Sequence, residues 1–182
     1  TNVSTSIPVQ VTGLPKIETL SCVFWTDGTL AIENETSAWR WGGKGALVPQ
    51  KVTFSEPMKK VILHQQDGGS SYLFGLNTAG NIRRLELNGE LMQEIKEVTD
   101  IVDIAGNGYS CFALKADGTV WGYGRNVLGA LGDGTNNERY YFARMKSEDG
   151  NGYLTGIKAI GTGVDGSFAI SEDGTLLYCG TV

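Results

Sequence analysis

The chain has little of what catalysis and metal binding are built from. Its 182 residues include a single histidine, His64. Any Ser-His-Asp or Cys-His arrangement would have to pass through that residue. His64 ends the apolar run Val61-Ile62-Leu63, where it reads as a structural or surface histidine. No nucleophile–base pair can be drawn, so the sequence reads as non-enzymatic, with no cofactor and no metal site. There are three cysteines, Cys22, Cys111 and Cys179. That odd, sparse count argues against a disulfide scaffold, and the spacing does not suit zinc. Each lies in an apolar strand pattern and reads as a small buried hydrophobe.

Other absences narrow the class. No run of ~18 apolar residues exists, which argues against a membrane-spanning helix. Net charge is −5, and no basic stripe is visible. Phosphate contacts supply most nucleic-acid affinity, so the expected partners include neither nucleic acid nor an inserted membrane. Lys59-Lys60 and Arg83-Arg84 are isolated pairs on a solvated surface. Prolines number only four, against a disordered linker. The sequence begins at Thr1 without Met and shows no signal peptide, as expected of a processed chain or one cut from something larger. Asn2-Val3-Ser4 and Asn34-Glu35-Thr36 are glycosylation sequons that matter only in a eukaryotic secretory pathway. A secreted or surface location is favoured over a cytoplasmic one.

Glycine is abundant instead, at 26 residues spread along the chain. That is about twice the usual ~7% share and reads as turns and bulges. Residues 101–121 recur at 157–177 without a gap, matching at Ile160, Ala169, Asp173, Gly174 and Thr175. An internal repeat fixes architecture before any single residue does. Asp-Gly-Thr followed by an apolar residue occurs at Asp27-Gly28-Thr29-Leu30, Asp117-Gly118-Thr119-Val120 and Asp173-Gly174-Thr175-Leu176. Ala79-Gly80-Asn81-Ile82 is a weaker fourth. Asp-Gly between apolar runs marks a hairpin with positive φ at both central residues.

The strand before each turn is a continuous apolar run: Cys111-Phe112-Ala113-Leu114, Ser167-Phe168-Ala169-Ile170, Tyr72-Leu73-Phe74-Gly75-Leu76 and, most worn, Cys22-Val23-Phe24-Trp25. Such runs suit strands buried on both faces. After the turn comes Trp121-Gly122-Tyr123-Gly124, then Gly129-Ala130-Leu131. Trp39-Arg40-Trp41-Gly42, then Gly45-Ala46-Leu47, repeats it after extra residues beyond Leu30. A short strand closes a unit at Pro49-Gln50-Lys51-Val52, with a counterpart at Pro8-Val9-Gln10-Val11. Leu91 to Val98 fits either a turn of helix or an outer strand. Units of ~40–50 residues with short strands and glycine-aromatic motifs read as propeller blades. The expected fold is all-β: about three full repeats and a split fourth in one repeat domain, 1–182. The blades span 12–53, 54–97, 98–146 and 156–182, with 8–11 as a closing strand.

These residues resemble the regulator of chromosome condensation repeat family. The motifs are Ile104-Ala105-Gly106, Tyr109-Ser110, Phe112-Ala113-Leu114, Asp117 to Trp121, Gly124 and Gly129 to Thr135. The match is strongest over 101–135, good over 157–180 and weak but in phase over 8–97. The family's histidine position holds Tyr109 here, Ser71 in the second unit and Asp165 in the last; its Gln is Ala130. The resemblance implies a β-propeller, often of seven blades. Three closures are open: four blades within the chain, a segment of a longer propeller, or two chains together.

Members of such a family bind protein partners, so the resemblance implies a non-catalytic protein-interaction module. The alternative is a structural blade segment, or half of a composite propeller formed by self-association. Loops on a rigid frame are where recognition sits. The candidate partner-binding residues are Asn107, Tyr109, Arg125, Asn126 and Asp165; Trp39, Arg40 and Trp41 are weighed as further contacts, with a core role favoured for the two tryptophans. Asp133-Gly134-Thr135-Asn136-Asn137 is better read as a turn than as a calcium loop, and Asp133 with Glu138 as surface acids.

Overall fold

The computed structural model describes residues 7–22, 28–42, 46–66, 69–163 and 165–181. These contain strands and turns and no helix. The described residues form four antiparallel sheets. The first is β1 (Thr19–Cys22), β2 (Thr29–Asn34), β3 (Ser37–Gly42) and β4 (Ala46–Thr53). The second is β5 (Met58–Gln65), β6 (Ser71–Asn77), β7 (Ile82–Leu85) and β8 (Leu91–Ile95). The third is β9 (Ile101–Gly106), β10 (Ser110–Lys115), β11 (Val120–Gly124) and β12 (Arg139–Arg144). The fourth has three strands, β13 (Ile157–Thr162), β14 (Gly166–Ser171) and β15 (Leu176–Gly180). Strand order in each sheet runs with the sequence, so each is a meander. The first strands pack in chain order, β1 on β5, β5 on β9 and β9 on β13. This is a blade arrangement.

Why the strands are apolar on both faces is clear from what each face meets. Side chains alternate across a strand. On β10, Phe112 and Leu114 face the fourth sheet, in a core with Val120, Leu131, Met145, Ile157 and Ala169. Cys111 and Ala113 face the second sheet, in a core with Ile62, Tyr72, Phe74, Leu76 and Tyr123. Leu73 and Leu85 of the second sheet turn the other way, onto Leu30, Ala38 and Val52 of the first. A fully buried Phe or Leu contributes ~1.5–3 kcal/mol. The glue is therefore blade-to-blade burial, one core per junction. The middle core is aromatic. Phe74 meets Tyr123 edge-on at 5.1 Å and Phe142 at 5.9 Å. His64 lies within it, buried, with its ring 4.9 Å from Tyr72 and 5.3 Å from Phe74.

The Asp-Gly turns take a different form from the two-residue hairpin expected. Gly118 has φ 76°, but Asp117 does not have positive φ. Lys115 N donates to Thr119 O and Gly118 N to Lys115 O. This is a three-residue loop, 116–118, ending in a left-handed glycine. The carboxylate explains why Asp precedes that glycine. Asp117 Oδ1 accepts from Thr119 N at 3.0 Å and Thr119 Oγ1 at 2.6 Å. Those bonds hold its pKa below the usual range. Asp173 does the same with Thr175 N and the Ser171 hydroxyl.

The first sheet is phased differently from the sequence expectation. Its central hairpin turns at Glu35-Thr36, where Asn34 pairs with Ser37. Asn34 Oδ1 accepts from Thr36 N at 2.9 Å and so stands in for the aspartate. Gly28 lies instead just before β2, which begins at Thr29. The residues beyond Leu30, expected as an excursion, are the second strand and this hairpin. Residues 23–27 and 43–45, which held Val23-Phe24-Trp25 and the start of Gly45-Ala46-Leu47, lie outside the described residues. Leu91–Ile95 is an outer strand. Pro8–Val11 forms no strand, and its residues are exposed. The expected closing strand is therefore not paired here, and the fourth sheet ends at β15.

Candidate functional site

The candidate residues come from three loops of the third and fourth sheets. Asn107 and Tyr109 lie between β9 and β10, Arg125 and Asn126 come directly after β11, and Asp165 lies between β13 and β14. A cavity of about 120 Å³ gathers Asn107, Tyr109, Arg125 and Asp165 with Val127 and Leu128. Asn126 is not part of it.

The loop before β10 is held by side-chain bonds to its own backbone. Asn107 Oδ1 accepts from Tyr109 N at 3.0 Å and Ser110 N at 2.9 Å. Its Nδ2 donates to Gly163 O at 3.0 Å, which ties the loop to the next sheet. Gln65 N donates to Gly108 O at 2.5 Å, which ties it to the previous one. Ser110 Oγ donates to Arg125 O at 2.8 Å, and Arg125 N donates to Tyr109 O at 3.0 Å. Gly124 makes this approach possible. Its φ is 103°, and a Cβ there would collide with Tyr109 O. Gly180 repeats the device against Asp165 O.

These backbone contacts bring two side chains together. The Arg125 guanidinium sits 5.3 Å from the Tyr109 ring centroid, within cation–π range. Arg125 is exposed and Tyr109 half-buried. Val127 and Leu128 add exposed apolar surface beside them. Sequence reasoning passed over these two. The signal was an apolar pair in a loop, outside any strand pattern. Asp165 is exposed at the cavity rim.

Asn126 corrects the expectation for that residue. It is 0% exposed and so unable to touch a partner. Its Nδ2 reaches Asp133 Oδ1, Thr135 O and Asn137 O, and its Oδ1 accepts from Leu131 N at 2.9 Å. It is the internal brace of the 126–137 loop. Asp133 completes the brace. It accepts from Thr135 N at 2.9 Å and from Arg139 Nε at 2.5 Å. Burial pushes its pKa up, but the Thr135 and Arg139 bonds outweigh that and hold it below the usual range. The Glu138 carboxylate is engaged elsewhere, by the Tyr140 hydroxyl at 2.7 Å. Trp39 and Trp41 are half-buried, and Trp39 Nε1 donates to Glu33.

No protein-family model and no curated protein matches the sequence. Solved structures do match. Human WBSCR16 superposes with a TM-score of 0.68 at 12% identity, over 91% of this chain and 47% of that one. Yeast RCC1 (Prp20), solved bound to Kap60, gives 0.70 at 15% identity, over 91% and 43%. The fold is that of regulator of chromosome condensation propellers. A second Prp20p structure, from Saccharomyces cerevisiae, gives 0.61 at 20% identity, over 92% and 44%. It is described with that protein's binding properties to Gsp1p and histones. The chain spans less than half the length of these propellers.

Proposed function

We propose that the chain is a non-catalytic protein-interaction module that binds a protein partner through the loop face carrying Tyr109 and Arg125. One observation carries the reading: Gly124, Ser110 and Asn107 hold the backbone that brings the Arg125 guanidinium to the Tyr109 ring, beside exposed Val127 and Leu128. Tyr and Arg are the residue types enriched at interface hot spots, and apolar neighbours exclude water around them. Preorganised loops lose little entropy on binding. The solved propellers of this fold point the same way, since one is bound to Kap60 and another is described by its binding of Gsp1p and histones. Asp165 and Asn107 frame the site, Asp165 as a rim charge and Asn107 as a positioning residue.

A tagged pull-down from the source organism, read by mass spectrometry, identifies the partner. Its affinity is then measured for the double substitution Tyr109→Ala, Arg125→Ala. Loss of at least tenfold with an unchanged circular dichroism spectrum supports the site. Unchanged affinity overturns it.

A second reading is favoured by a separate observation. Among the described residues, the fourth sheet has three strands where the other three have four. A sheet edge left open among the described residues is where a further strand can add. On this reading the chain is a structural blade segment, or half of a composite propeller formed by self-association.

A further inference from the structure

The first three blades each end in an outer strand, β4, β8 or β12, whose far side meets no other strand among the described residues. A blade added at either end of the row would stack on a sheet face, so these three edges stay at the rim of a propeller of any size. An open edge is a row of backbone donors and acceptors, and proteins blunt it with proline, charge or short length. β4 contains Pro49, which has no N–H, and Lys51, whose ammonium reaches Glu33. β8 is five residues long and contains Glu94, in ion pairs with Arg83 and Lys96. β12 has none of these. It reads Arg-Tyr-Tyr-Phe-Ala-Arg, with no proline and no charge between its two ends.

The side chains around the β12 edge are of the types that interfaces use. Side chains alternate across a strand. Phe142 is buried in the core against the second blade. Tyr140, on the same face, is 60% exposed, and Tyr141, on the opposite face, is 54% exposed. Aromatic rings thus stand clear on both sides of the open backbone. Met145 N donates inward to Val120 O, so by alternation the amides of Arg144 and Phe142 point outward.

The lower end of the edge is cationic. Arg144 Cζ lies 4.6 Å and Lys146 Nζ 4.8 Å from the centroid of the exposed Tyr153 ring. Arg144 Nε has no hydrogen-bond partner among the described residues. Neither cation forms an ion pair with them. The Asp117 carboxylate, which feels the Arg144 charge, is committed to Thr119. Asp149, on the turn beyond, is held by Ser147 and Asn151.

We infer that the β12 edge is a second docking site, which takes an extended segment of a partner protein as an added strand. A row of outward amides and carbonyls fits another extended backbone. Tyr140 and Tyr141 flank that backbone on its two faces, which calls for apolar or β-branched residues at the centre of the segment. Arg144 and Lys146 set the chemistry of its end, where one carboxylate beside Tyr153 would pair with both. The occupant is an apolar strand with an acidic end. The site uses other residues than Tyr109 and Arg125 and goes beyond the function proposed for them.

Panning a displayed library of random short peptides on the whole chain tests this, followed by titration of the enriched peptide and hydrogen exchange of its complex. Enriched peptides are expected to have an apolar centre and an acidic end, and to slow exchange at the Phe142 and Arg144 amides. Tyr141→Lys puts a charge at the edge and is expected to weaken binding at least ~10-fold. Should it fail to fold, Tyr140→Lys attacks the edge from the other face. Lys146→Glu is expected to weaken binding by a similar factor and to shift the selection from acidic to basic ends, which loss of structure alone would not do. Enrichment of nothing, binding that leaves the β12 amides unprotected, or affinity unchanged in these variants overturns the inference. Protection of the same amides that grows with concentration of the chain alone means that two copies pair there, which overturns it as well. The Tyr109→Ala, Arg125→Ala chain is expected to bind the peptide as the parent chain does, so failure of the loop site and failure of the edge site are read separately.

Discussion

The third and fourth blades were built from one repeated segment and meet different fates. Ala113 and Ala169 occupy matching places in their sheets and are both buried. Phe112 is sealed, while Phe168 is half-exposed. The difference is not in the strands, whose registers match turn for turn. It lies in the neighbour: the third blade has the fourth against it, and no described residue plays that part for the fourth. A blade of this fold is half of two cores, and its own sequence settles only its side of each. Stability here belongs to junctions and not to sheets.

Matched substitutions break or sharpen that contrast. The largest effect is expected from Phe112→Ala, at ~3–5 kcal/mol, because a fully packed aromatic is removed. Phe168→Ala should cost less than half as much in urea denaturation. Equal costs would mean that the fourth blade has its own complete core. Next comes Gly124→Ala, whose Cβ would collide with the Tyr109 carbonyl at a positive φ. A loss of about 2 kcal/mol is expected. Gly180→Ala makes the same local collision with Asp165 O. It should cost about half that, since β15 is at the edge and can yield; thermal melts of the pair give the ratio.

The smallest effect is on acid stability. Asp173 has its pKa pulled down to about 2 by the Ser171 hydroxyl and the Thr175 amide. A folded pKa below the unfolded value of ~3.9 means stability that is complete above pH ~4. It fades as pH falls toward 2, when the carboxylate takes its proton. Asp173→Asn is expected to flatten the melting temperature between pH 5 and pH 2. A slope identical to that of the parent chain would show the turn bonds carry no net stabilisation. Asp117→Asn in the sealed blade should act in the same direction.

The legible parts of the sequence are those whose chemistry is local. The 101–121 and 157–177 repeat could be read because an Asp-Gly-Thr turn satisfies its own backbone within five residues. The first blade was misphased for the same reason. Its hairpin uses Asn34 with no glycine, and the Asp27-Gly28-Thr29 copy drew attention to the wrong junction. Asn126 was misjudged because a loop position suggests exposure, whereas an amide with four local partners is pulled inside. Tyr109 and Arg125 were legible as inter-strand loop residues of the types enriched at interfaces. Their pairing was not legible, since it depends on a backbone contact across Gly124. The exposed end faces were equally hidden. Phe168-Ala169-Ile170 reads as buried on both sides, and nothing in the run says that one of those sides stays uncovered.

The order in which the inner strands pack has a bearing on how the molecule comes apart. β5 and β9 each touch a neighbour on both sides, while β1 and β13 end the row among the described strands. In such a one-dimensional stack, cooperativity passes only between adjacent units. A lone arc would therefore unzip from its two ends, with exchange protection rising toward the second and third blades. A closed ring has no first unit to lose. Joining the ends would turn a gradual fraying into a single all-or-none transition, with no new bond added to the middle of the chain.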